Sequence, residues 1–281
     1  MNSKKFGFVL ILVSSLAGAA APSGQEVASN IESLDWQKGP AAAPIGAKAV
    51  LNVNQDIVYI NESNSRKFLE LTGNLPSNGY YIIFNTKDSW WAGFSFSESG
   101  YIKDGETIDP NVILKRLKDG DAATNEERRK RGFAELYTDG WYKPPHYDPM
   151  TKRLEWGVRL RSGNEFTANY TIRLLGRTGV TSATLVSSPE VLDQNVQSFK
   201  AVLPGFEYKS GEQYSEFKQG DRVAEFGLAA LIAGGAAAVA TKKGLWGVIG
   251  AFLAASWKIA AGVLIAAGAG VKKLLSRNKD A

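Results

Sequence analysis

Residues 80–96, YYIIFNTKDSWWAGFSF, decide the class of fold. Tyr80 to Phe84 and Trp90 to Phe96 are two apolar, aromatic-rich runs, and Asn85, Thr86, Lys87 and Asp88 between them are turn formers. Aromatic and β-branched side chains suit a pleated, half-buried surface, so the stretch predicts a β-hairpin. Strand alternation sends Trp90 and Trp91 to opposite faces of it.

The same pattern recurs along the chain. Phe166 to Leu175 and Val180 to Val186 alternate across Gly176, Arg177, Thr178 and Gly179, a second hairpin. Trp141 to Tyr147 and Arg153 to Leu160 read as two extended arms folded about Asp148 and Pro149, which fit the first positions of a type I turn. Pro144 and Pro145 remove two backbone donors from the first arm and keep Lys143 extended. Ala49 to Leu51 and Ile57 to Ile60 predict two strands joined by a turn, and Phe206 to Tyr208 with Tyr214 to Phe217 a last short hairpin.

Helices are fewer. Ser63 to Leu71 is a brief one stopped by Gly73 and Asn74. Asp109 then Pro110 starts another that is expected to end at Gly120, and Thr124 with Glu127 caps a separate short helix reaching Gly132. In the latter, Arg128, Arg129, Lys130 and Arg131 invite a binding-patch reading. Glu126 to Lys130 and Glu127 to Arg131 are i, i+4 pairs, however, so a solvated face is expected instead. Ser188 and Pro189 open a helix with Leu192, Val196, Phe199 and Leu203 on one face. Ile31, Leu34 and Trp36 suggest a short helix against the domain. The expected fold is α+β, with a largely antiparallel sheet built from hairpins, a few short helices and a C-terminal helical membrane tail.

Both ends point to a membrane. Met1 to Ala21 has Lys4 and Lys5, an apolar run from Phe6 to about Leu16, then small residues, the order of a secretory signal peptide. The tail from Val223 to Val271 is rich in Ala, Gly, Leu, Ile and Val and is closed by Lys272, Lys273, Arg277 and Lys279. As a helix, Leu245 to Val271 would span about 40 Å, more than the roughly 30 Å hydrocarbon core. The basic end is expected in the cytoplasm, with a single span and Val223 to Ala240 packed at the interface or against it. Residues spaced by four, Ala230, Gly234 and Ala238 with Gly262, Ala266 and Gly270, would allow close helix contact in lipid. The expected organisation is a signal at 1–21, an extracytoplasmic domain at 22–222 and an anchor with a basic cytoplasmic tail at 223–281.

Composition narrows the chemistry. The formal charge of +5 is misleading, since nine of the 33 Lys and Arg but only two of the 28 Asp and Glu lie in the two ends. The middle domain keeps 24 basic against 26 acidic residues, which argues against nucleic acid as a partner. There is no cysteine, hence no disulfide, thiol catalysis or thiolate metal site. His146 is the sole histidine, so zinc would find at most one imidazole. No cofactor or metal motif is present in the sequence.

A family resemblance adds to this. Gly100 to Asp104, Asn125 to Arg128, Gly140, Trp141, Pro145 to Asp148, Thr151, Leu154, Trp156, Asn169, Tyr170, Arg173, Leu175 to Arg177, Gly179, Val180 and the Gly227 to Gly235 opening of the tail resemble the domain of unknown function 2167 family. Its members are uncharacterised, membrane-anchored bacterial proteins. The resemblance implies an envelope protein with a C-terminal anchor, the main domain facing the periplasm from the inner membrane. It implies no activity.

Function is open between three classes. The first is a non-catalytic interaction domain tethered to the inner membrane, contacting an envelope protein or itself through Trp141, Tyr142, Pro144, Pro145, His146, Tyr147, Asp148 and Trp156. The competing reading of those rings is a core beneath a hairpin. The second is a periplasmic small-molecule or lipid-binding domain lined by residues from the Trp90, Trp91, Phe94, Phe96 hairpin. The third is a hydrolase in which Asp148 or Glu155 orients His146 and a nearby Ser or Thr attacks, although no nucleophile elbow accompanies them.

Overall fold

The computed structural model describes residues 24–75 and 77–233. The expected export signal, and the stretch from Gly234 that holds most of the expected membrane tail with its helix contacts, lie outside the described residues. In chain order the elements begin with α1 (Gly24–Glu32), β1 (Gln37–Lys38), β2 (Ala41–Ile45), β3 (Ala49–Val53), β4 (Ile57–Ile60) and α2 (Glu62–Leu71). They continue with β5 (Tyr80–Asn85), β6 (Trp90–Ser97), α3 (Pro110–Lys130), β7 (Tyr137–Asp148), β8 (Arg153–Ser162), β9 (Glu165–Leu175) and β10 (Val180–Ser187). Helix α4 (Leu192–Val202), β11 (Phe206–Tyr208) and the short α5 (Leu228–Ile232) close the described chain.

Eight strands form one antiparallel sheet in the order β1-β4-β5-β6-β10-β9-β8-β7. The hairpin at 80–96 is β5–β6, and the Asn85 carboxamide oxygen accepts from the amides of Lys87 and Asp88 at 2.9 Å each to shape its turn. A second meander, β7 to β10, returns so that β10 pairs with β6 and fuses the two halves. Strands β11, β3 and β2 make a separate small sheet.

One face of the large sheet carries a continuous core. Trp90, Ala92 and Phe94 meet Tyr170, Ile172, Ala183 and Leu185 from the neighbouring strands, all buried. The small sheet (Ala43, Ile45, Leu51) and α4 (Leu192, Phe199), followed by Leu203, cover them. Phe199 sits edge-on to both Trp90 and Phe94, with centroids 5.6 and 6.3 Å away, and the Trp90 indole donates to Ser198 Oγ at 2.9 Å. This accounts for the 3.6 periodicity of Leu192, Phe199 and Leu203.

The opposite face holds two cores. Under α1 and α2 lie Val27, Ile31, Phe68, Leu69, Ile60 and Ile82, joined by Trp91. At the β8 end, Leu154, Trp156, Val158, Leu175 and Val180 pack against Ile102, Ile113, Tyr214, Leu228, Leu231 and Ile232. Those last three belong to the apolar stretch that starts at Val223, so residues 223–233 contribute to the domain core; Val223 also bridges to Tyr101. Each of the three buried side chains stabilises the fold by about 1.5–3 kcal/mol, enough to hold the segment down. Among the described residues no helix is long and apolar enough to cross a membrane.

Four local expectations are corrected. Ala49 to Leu51 and Ile57 to Ile60 do not pair with each other: β3 joins the small sheet and β4 the large one. Phe206 to Tyr208 pairs with β3, while Tyr214–Glu216 is a single 3-10 turn, so the last hairpin is absent. Helix α3 runs unbroken through Gly120, where glycine costs about 1 kcal/mol relative to alanine. Tertiary bonds offset this: Asp121 accepts from the Thr138 amide and hydroxyl, and the Asn125 carboxamide exchanges two bonds with the Leu136 backbone. Finally, Lys130 and Arg131 form their expected pairs with Glu126 and Glu127, but Arg128 is buried and donates to the carbonyls of Ala134 and Gly73.

Candidate functional site

Strand β7 is the outer edge of the large sheet, and its pairing with β8 slips three times between Thr138 and His146. Pro144 and Pro145 sit in the last slip. An exposed edge invites pairing with another chain, and prolines and bulges are standard ways to block it. The unusual Pro-Pro pair is thereby accounted for without a ligand.

The rings of this block are held from inside. Trp141 joins the core under α3 and its indole donates to the Pro110 carbonyl at 3.1 Å. Trp156 is buried beside it, with the Arg173 guanidinium 5.8 Å from its ring. Tyr147 donates to Asp104 at 2.6 Å, and Lys152 reaches the same carboxylate at 2.8 Å. Burial pushes the Asp104 carboxyl up, but the bonds from Lys152 and Tyr147 outweigh it and leave it below its ordinary value. Tyr142 turns to the other face, packs on the continuous core and donates to Asp193 of α4 at 2.7 Å. Burial and then that bond raise its hydroxyl to about 12.

Beside Tyr142 the hairpin and α4 enclose a cleft of about 220 Å³. His146, Asp148, Thr151, Arg153 and Glu155 line it from the hairpin, and Ile172, Lys200 and Leu203 from behind. Glu155 lies opposite His146 in the β7–β8 register. It pairs with Lys200 at 2.6 Å and Lys143 at 3.4 Å. Burial alone would raise its carboxyl, but Lys200 and the further contacts hold it below the usual range. Next to it the buried Tyr170 hydroxyl lacks a well-formed hydrogen bond and is pushed up by burial and by the Glu155 charge.

Asp148 is committed elsewhere. It accepts from the Met150 amide at 2.9 Å and from Thr151 Oγ1 at 2.6 Å, closing the turn, and these bonds depress its carboxyl. His146 is exposed and makes no hydrogen bond among the described residues, and Thr151 spends its proton on Asp148. The structure thus brings His146, Asp148 and Glu155 together without a base-to-nucleophile contact. Arg153 has no carboxylate within ion-pair distance among the described residues. Sequence reading singled out His146 and Asp148 but missed Arg153 and Lys200. Alternation on β8 places Arg153 beside Glu155, whereas nothing local ties Lys200 to this hairpin.

The family described as protein of unknown function (DUF2167) matches residues 37–268. The chain belongs to that family. In this DUF2167 chain the matched span includes every described strand and the whole cleft. No curated protein matches it. Among solved structures it is similar to the solution structure of cyanobacterial PsbP (CyanoP) from Synechocystis sp. PCC 6803. The identity is 11% over 70% of this chain and 98% of that one, with a TM-score of 0.36, and so loose a likeness carries no argument about function.

Proposed function

We propose that this DUF2167 chain is a non-catalytic recognition domain, held at the periplasmic face of the inner membrane by its tail, that grips an acidic group of an envelope protein. The observation that carries this reading is the cleft: Arg153 lines it with no carboxylate within ion-pair distance among the described residues, the exposed His146 stands beside it, and Lys143 and Lys200 share Glu155. A guanidinium with free donors suits a carboxylate that it can hold through two bonds. The apolar tail and signal-like start support the placement, and the committed Asp148 speaks against hydrolysis.

The contact centre moves from the aromatic rings to the cleft mouth, since Trp141, Tyr142 and Tyr147 already spend their donors internally. Photo-crosslinking probes at Pro144 and His146 in intact cells test it. One envelope protein captured reproducibly by the native chain, and lost in Arg153→Glu, is the expected result. Capture of nothing but the chain itself, or capture indifferent to Arg153→Glu, would refute the reading.

A further inference from the structure

On the face opposite the cleft, the strand register lays out a polar stripe between the two smaller cores. Leu154, Arg173, Ser182, Ser95 and Tyr80 form one row across β8, β9, β10, β6 and β5. Trp156, Thr171, Thr184, Gly93 and Ile82 form the next. Directly paired residues share a face, so hydroxyls and a glycine occupy the middle while apolar side chains hold the ends. Thr171 and Thr184 bond each other at 3.1 Å. The hydroxyls of Ser182 and Ser95 form no bond among the described residues.

Arg173 stands in this stripe with no counter-charge among the described residues. Its Nε is closed to solvent and has no acceptor. Among the described residues its one hydrogen bond is to the Leu231 carbonyl, at a long 3.4 Å, and its guanidinium otherwise faces the Trp156 ring. No carboxylate of the described chain acts on it; burial lowers its basicity, and the sole acidic group whose field reaches it is the Tyr80 phenol. Outside the described residues the chain offers one acidic side chain, Asp280. A largely desolvated cation without a counter-charge is costly, and an anionic ligand would offset that cost.

We propose that Arg173, with the Ser182 and Ser95 hydroxyls beside it, is a binding site for the anionic group of a small solute, a carboxylate or a phosphate. The guanidinium fork supplies paired donors for two oxygens, and the serines supply more. The partly exposed Tyr80 ring at the far end of the row gives an attached apolar or aromatic portion a surface to rest on, and the buried Trp156 ring beneath the guanidinium reports on the site. Arg173, Ser95, Thr184 and Tyr80 keep partial exposure, so the stripe is reachable from solvent. The site rests on neither the cleft nor the membrane tether.

Titration of the purified full chain with inorganic phosphate and, separately, benzoate tests it through tryptophan fluorescence, with Trp156→Phe assigning the signal. A saturable change with either anion is expected, weakened at least tenfold in Arg173→Met and severalfold in Ser182→Ala. Response to phosphate alone or benzoate alone names the group recognised. Ser182→Ala removes a single hydroxyl and keeps the test decisive should Arg173→Met fail to fold. No saturable response to either anion, or an undiminished response in the variants, overturns the proposal.

Discussion

The two faces of the eight-stranded sheet are built on different terms. On one, Trp90, Phe94, Tyr170, Ile172 and Leu185 run into α4 and the small sheet as a single core. On the other, two cores stand apart with hydroxyls and Arg173 between them. The same contrast recurs in two arginines four positions apart in sequence. Arg177 is held by Asp221 through two bonds of 2.7 Å, a fork that fixes the 211–221 segment, whereas no carboxylate among the described residues acts on Arg173. The continuous face and the paired arginine are structural devices; the divided face and the unpaired arginine are where stability has been left out, and binding is the reason to leave it out.

Phe199→Ala puts the largest strain on this contrast. It deletes the ring between Trp90 and Phe94, and such truncations cost about 3–5 kcal/mol. The melting temperature is expected to fall by on the order of 10 °C. Leu231→Ala, on the divided face, removes a smaller contact and should cost less. A Leu231 variant as damaged as the Phe199 one would mean that the two faces do not differ as described.

Arg173→Met against Arg177→Met sharpens the comparison. Removing a half-buried charge that no described carboxylate compensates is expected to be neutral or stabilising by up to about 2 kcal/mol, even with the ring contact to Trp156 lost. Arg177→Met strands Asp221 and should destabilise. Urea midpoints at unchanged slope read both. If the two variants lose stability alike, Arg173 is a structural residue and the stripe loses its functional reading.

How much of this was legible in the sequence follows from distance along the chain. The β5–β6, β7–β8 and β9–β10 hairpins were readable because alternation and turn residues lie within one short window. The β6–β10 pairing that fuses the sheet, and the parting of β3 from β4 into different sheets, depend on segments far apart and leave no local trace. Continuity of α3 through Gly120 was hidden because its support comes from Thr138 and Leu136, beyond the helix. At the candidate site, His146 and Asp148 stood out as residue types in a turn. The aromatic rings beside them were equally conspicuous, and their inward bonds to Pro110, Asp104 and Asp193 appear only once α3, α4 and the 101–104 segment are in place. Arg173 was visible as a residue of the family pattern but not as a half-buried one, since its covering requires knowing that α5 folds back over β9.

The smallest expected effect concerns the paired arginine and acid pH. Asp221 is depressed from 3.8 to about 2, first by the hydrogen bond from Arg177 and then by the Lys218 amide. A carboxyl whose folded value lies below its unfolded value contributes stability that is complete above the unfolded value. That contribution is lost as pH falls through the folded one. The window is therefore between about pH 4 and pH 2, and the loss runs toward acid. Arg177 also feels Glu212 and Glu216, so Asp221→Asn removes only part of its field. The wild-type chain should lose stability more steeply than Asp221→Asn between pH 4 and pH 2, followed by far-UV circular dichroism under fixed urea. Added salt should shrink the difference, because the pair is close enough to the surface to be screened. Arg173→Met should show the wild-type slope throughout, since no carboxylate of the described chain titrates against Arg173. A slope altered by Arg173→Met would place an acidic partner beside it within the chain, and the contrast between the two arginines would then vanish.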